Sequence, residues 1–280
     1  MKFIVLLFTV LLQKQTKQQG YKRKRQWFSR ISTFFKSNTQ SLSGQLLAFA
    51  ALVLLPGLCI GFFIDSLSGL FGNLLALVLQ VVLLLYILGR DDFSQRFQSY
   101  KECWARADYQ GAFECASRFL GIKETEHAHD PCQLHQSVSR AVVHAWFVRF
   151  FVFIFWYLAV GIGGSFACLM SYWFYREFKF GWAKSVVEAM EWLPSRLLAL
   201  TTALAGDFTH SFPPALKSLL DFQTESFDVL TKTVFPAQED AENFVCDLAD
   251  DTLQETNQLM FRCAVIWLLL VAVLTVFTGF

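Results

Sequence analysis

Glu188, Glu191 and Arg196 are the charges whose placement suggests chemistry. They fall in residues 182–206 (WAKSVVEAMEWLPSRLLALTTALAG), a stretch with helical patterning made otherwise mostly of apolar and small residues. Ionisable groups at membrane depth are costly, so they tend to pair or to line a site. Lys184 and Glu188 stand at i,i+4, and Glu188 shares a helix face with Trp192. The Arg196 guanidinium is suited to meet Glu191 or to fork onto a phosphate or carboxylate. Two readings stand. The segment is an interfacial helix whose charges face water, or Glu188, Glu191, Trp192 and Arg196 form an anion-binding pocket. Pro194 is expected to mark a break in the helix.

A second group, His127-x-His129-Asp130-Pro131-Cys132-x-x-His135, has metal-ligand residue types. Its spacing fits no standard zinc frame, and Pro131 and a lone Cys interrupt it. It reads as a solvated loop, and no metal is expected. No Ser sits in G-x-S-x-G, and no phosphate loop is present. The GIGGS run at 161–165 lacks a preceding strand and a following Lys-Thr. No catalytic residue and no cofactor are therefore expected. The seven cysteines form no CxxC pair, which argues against a disulfide framework.

The elements that would position these groups are apolar. The chain is 54% hydrophobic and 17% charged, with 31 Phe; soluble domains average about 45–50% and about 25%. The net charge of +1 gives no reason to expect nucleic acid as a partner. Four stretches of membrane-spanning length stand out: 46–64, 70–88, 147–173 and 261–279. The run FIVLLFTVLL at 3–12 is too short to span and has no cleavage signature, so it reads as an uncleaved anchor or interfacial helix. Pro56-Gly57 should kink the first span. Asn73 and Gln80 are polar enough to hydrogen-bond across the first two helices.

The fold class expected is all-α: a polytopic membrane protein with about four transmembrane helices. Its parts would be an apolar anchor and basic arm (1–45), a transmembrane hairpin (46–88), a cytoplasmic helical segment (89–145), a third transmembrane helix (146–174), an amphipathic and acidic extracytoplasmic segment (175–260) and a last transmembrane helix (261–280). In the segment 89–145, aromatic residues from Phe93 to Phe119 recur at helical spacing and pause at Asp108–Ala112, which predicts a helical hairpin. Lys14, Lys17, Lys22, Arg23, Lys24, Arg25, Arg30 and Lys36 make residues 13–45 basic, with no acidic residue. That arm should stay in the cytosol against anionic lipid. Counting spans from it places 174–260 outside, where eleven Asp or Glu fall in 207–260.

The segment Glu191-Trp192-Leu193-Pro194-Ser195-Arg196-Leu197-Leu198-Ala199-Leu200, continuing to Phe208, resembles the AmpE family of bacterial inner-membrane proteins. The aromatic run Phe151–Tyr157, Gly89-Arg90-Asp91, Trp104, Asp108 and Ala112 resemble family positions too. A departure is Val160-Gly161-Ile162-Gly163-Gly164, where the family usually carries Gly-Pro and small residues. The resemblance implies a sensor or modulator linked to β-lactamase induction and cell-wall stress. It also implies an anionic, cell-wall-derived ligand and a membrane or cytoplasmic protein partner besides the lipid bilayer. Two alternatives stay open. One is a CobD/CbiB-like enzyme of cobalamin biosynthesis, which shares a shorter likeness. The other is a small-molecule transporter.

Overall fold

Lipid offers no hydrogen bonds, so a chain this apolar must satisfy its backbone within each segment. In a computed structural model, described at residues 2–15, 21–36, 41–89, 93–120, 131–206, 208–219, 221, 224–235 and 249–278, every regular element is helical. The elements are α1 (Lys2–Gln15), α2 (Tyr21–Lys36), α3 (Leu42–Phe49), α4 (Leu55–Asp65), α5 (Gly69–Leu88), α6 (Phe93–Ala105), α7 (Tyr109–Leu120), α8 (Pro131–Trp146), α9 (Phe153–Val160), α10 (Ile162–Phe178), α11 (Gly181–Ala205), α12 (Phe208–Ser218), α13 (Ser226–Val234) and α14 (Ala249–Thr278). Single π-helical segments, Ala50–Leu54 and Phe147–Val152, join α3 to α4 and α8 to α9. His127, His129 and Asp130, the acidic residues of 236–248 and parts of the basic arm lie outside the described residues.

Four helices are long and apolar enough to cross a membrane: Leu42–Asp65, Gly69–Leu88, Leu134–Val160 and Leu253–Thr275. Their outward faces carry large apolar side chains, Phe71 being 87% exposed. Such a surface belongs in hydrocarbon. The protein is a helical membrane protein. Pro56 does not end the first span. Proline lacks the N–H that continues the ladder, and the π segment before it absorbs the fault, with the Leu55 N–H reaching back to the Ala50 carbonyl.

The described chain divides into two compact units. The first comprises Met1–Arg90, Arg149–Pro194 and Trp267–Phe280; the second Asp91–Val148 and Ser195–Ile266. In the first unit α1 lies along α5 and buries Val5 and Leu6. The amphipathic α2 buries Phe28 against Trp173, ring centroids 5.7 Å apart.

The third apolar stretch departs from expectation. Its helix ends at Val160. Gly161 has φ 88° and ψ −169°, a conformation essentially confined to glycine. The chain turns there, and α10 runs back beside α9: the Ser165 hydroxyl donates to the Phe153 carbonyl at 3.0 Å, and Phe153 packs on Tyr172. α10 then descends antiparallel to α4. Gly163 and Ala167 meet Gly57, while Phe174 meets Phe49. A Cβ on Gly163 would lie 2.4 Å from the Gly57 carbonyl oxygen, so the helices touch backbone to backbone. The expected single crossing at 146–174 is a crossing plus a return limb. Hydropathy runs unbroken through the turn because both limbs are apolar. Trp173, expected on the far side, packs against α2 of the basic arm instead.

In the second unit α6 and α7 form the predicted hairpin. Ala107 takes a left-handed conformation at the turn, and the Asp108 carboxylate accepts from the Gly111 N–H at 2.9 Å to cap α7. The hairpin closes on α8 and α14 in one core that includes Tyr100, Ala112, Ala116, Leu134, Val138 and Leu253. The Trp146 indole donates to the Asn257 side-chain oxygen at 3.0 Å. Residues of the segments 89–145 and 175–260, expected on opposite faces of the membrane, thus share a core. Leu134 and Leu253, which pack in it, begin two of the apolar spans. The last span also starts earlier than expected, within a helix that is continuous from Ala249.

Candidate functional site

α11 presents the four residues singled out by the sequence, and it runs through Pro194 without a break. A proline at 194 leaves the Met190 carbonyl, four residues back, without its helical N–H. The Trp156 indole N–H donates to that carbonyl at 3.2 Å. Trp156 belongs to α9, so a neighbouring helix repairs the defect that the proline makes. The start of α11 is tied down in the same unit: the Trp182 indole donates to Gln45 Oε1 at 2.9 Å, and its ring packs on Phe49.

In this unit Glu188 forms a 2.8 Å ion pair with Lys184, both side chains being about half exposed. An exposed i,i+4 pair contributes little to stability, roughly 0.3–0.5 kcal/mol. Glu191 is half-buried and accepts a short hydrogen bond from the Tyr172 hydroxyl of α10. Trp192 beside it is also half-buried. Tyr172, not named from the sequence, lies 19 residues from its partner, and only the α10 return brings it there.

Arg196 belongs to the second unit and is 1% exposed. Nη1 donates to the Ser195 and Ser226 hydroxyls at 2.9 and 3.3 Å; Nη2 donates to the Asp221 and Thr224 carbonyls, both at 2.9 Å. Burial works against its charge, and the Asp221 carboxylate works for it. Asp221 also accepts from the Thr224 N–H and hydroxyl. The guanidinium therefore ties the chain entering α13 to α11. Arg suits this task because it offers several donors in a fixed plane.

The other candidates sort as follows. Gln80 reaches across to α9 and not to the first span: the Tyr157 hydroxyl donates to its Oε1 at 3.0 Å. His135 is fully buried, with Nδ1 3.2 Å from the Tyr100 hydroxyl and its ring 4.8 Å from Trp104. Among the described residues no His/Cys/Asp/Glu group is arranged to hold a metal.

With this geometry in view, the chain matches the family described as "Regulatory signalling modulator protein AmpE" over residues 2–280. The chain belongs to the AmpE family. A curated relative, Protein AmpE of Shigella flexneri, is 22% identical over 242 residues, covering 82% of this chain and 81% of its own length. No solved structure matches. For an AmpE-family chain, the Trp-Leu-Pro-Ser-Arg segment at 192–196 gains a physical account. Its proline is accommodated by Trp156, and its arginine organises the entry to α13.

Proposed function

We propose that this AmpE-family chain works in the bacterial inner membrane as a modulator of β-lactamase induction under cell-wall stress. The match along residues 2–280 supports this reading most directly. The build of the molecule fits it. Apolar spans hold the chain in lipid, and the hairpin of α6 and α7 offers a helical body able to contact a membrane or cytoplasmic protein. In this reading the basic arm faces the cytosol, where Lys and Arg bias short loops and anionic lipid holds them. An anionic, cell-wall-derived ligand is the input. Glu188 and Lys184 form a charged pair on the α11 surface, while Arg196 acts by holding Asp221, Thr224 and Ser226 in place.

Deletion followed by complementation tests the proposal. Cells lacking the gene should grow normally but show altered β-lactamase activity after exposure to a sub-inhibitory β-lactam, and the wild-type chain should restore it. Unchanged induction in the deletion strain would refute the proposal.

A further inference from the structure

A cleft with mixed polar and apolar walls lies beside the turn at Gly161 inside the first unit. A cavity of about 310 Å³ lies among the last turn of α4, Gln80 of α5, Lys2 of α1 and the α9–α10 turn. A second, of about 210 Å³, shares Ile64, Asp65 and Gln80 with it and reaches Asn73. The larger one stands at the small end of ligand pockets, roughly 300–1,000 Å³. Gly61 and Gly161 help to leave the space: a Cβ on Gly61 would meet nothing nearer than 3.9 Å and one on Gly161 nothing within 4 Å.

The lining carries both signs of charge. Lys2 is held at the broken end of α9, where its ammonium donates to the Leu158 carbonyl at 3.1 Å. Asp65 ends the first span and is exposed. Tyr157 donates to Gln80 Oε1, which leaves the Gln80 amide nitrogen as a donor. α10 starts at the cavity wall with Ile162 and Gly163, and Gly161 provides no side-chain cap. The positive end of that helix adds to Lys2. Broken membrane helices gather anionic groups at such ends.

An anion alone would confront Asp65. A cation alone would confront Lys2 and the start of α10. We propose that this cleft binds a small zwitterion, the size of an amino acid or a dipeptide with small side chains. Its carboxylate lies toward Lys2 and the start of α10, and its ammonium lies toward Asp65. This goes beyond the proposed regulatory role and does not depend on which response lies downstream.

The test uses the purified full chain in detergent with alanyl-alanine as probe, read by equilibrium binding and by the shift in melting temperature. N-acetyl-alanyl-alanine and alanyl-alaninamide each remove one charge. Alanyl-alanine should bind saturably, and each capped form roughly tenfold or more weaker, as expected when one charged hydrogen bond is lost. Asp65→Asn should weaken alanyl-alanine by a similar factor and leave the N-acetyl form unaffected. Lys2→Met should weaken alanyl-alanine and spare the amide. Asp65 is exposed, so its variant should fold even if Lys2→Met does not. Absence of saturable binding to folded protein at millimolar probe would overturn the proposal. So would equal affinity for capped and uncapped probes, or indifference to Asp65→Asn.

Discussion

Trp156 and Pro194 make the most testable pair of single residues. Replacing Trp156 with Phe keeps most of the ring but orphans the Met190 carbonyl. Leaving such a group unsatisfied costs about 1–3 kcal/mol. The variant should melt several degrees lower in detergent. In a Pro194→Ala background the helix regains its own N–H, and the same Trp156→Phe change should cost much less. Equal costs in both backgrounds would mean the indole does not serve that carbonyl. Glycines give a second contrast. Gly163→Ala drives a methyl against the Gly57 backbone oxygen at 2.4 Å, whereas a Cβ on Gly61 meets nothing nearer than 3.9 Å. Gly163→Ala should sharply lower stability, and Gly61→Ala should be nearly silent in the same melting experiment. At this scale the sequence was half legible. Pro194 and Arg196 stood out by type, and the GIGGS run at 161–165 by composition. Their partners did not, because Trp156 lies 38 residues before Pro194 and Asp221 lies 25 beyond Arg196.

Among the elements, Arg196 governs how α13 begins. It holds the Asp221 and Thr224 carbonyls and the Ser226 hydroxyl from a buried position. Arg196→Lys keeps a charge but loses the planar fork. It should loosen residues 221–226, seen as faster amide exchange at the start of α13, with little change in α6 and α7. Arg196→Ala should do the same more strongly. Uniform exchange in both variants would show that the contact does not order the segment. The turn between α9 and α10 is the element that the sequence hid. Hydropathy and aromatic content continue across Gly161, so a largely apolar run of 27 residues, 147–173, read as one span. Only its backbone, at φ 88°, betrays the reversal. Gly161→Val forces a branched residue into that conformation, at a cost of about 1–3 kcal/mol, and should lower the melting temperature accordingly.

For the whole molecule, the all-helical membrane fold was readable from composition and span length alone. Sidedness is harder to read, because a return limb such as α10 changes how many crossings separate the later segments. The shared core of Tyr100, Leu134, Val138 and Leu253 brings the segments around α6–α8 and the start of α14 together, which predicts that they lie on one side of the membrane. Cysteine labelling reads it directly. Glu102→Cys on α6 and Lys217→Cys on α12 both replace exposed charges, and each is treated with a membrane-impermeant maleimide in intact and in permeabilised spheroplasts, against the wild-type background. Both positions should stay unlabelled in intact spheroplasts and react together after permeabilisation. Labelling of Cys at 217 in intact spheroplasts while 102 stays protected would place the two segments on opposite faces and contradict the fold described here.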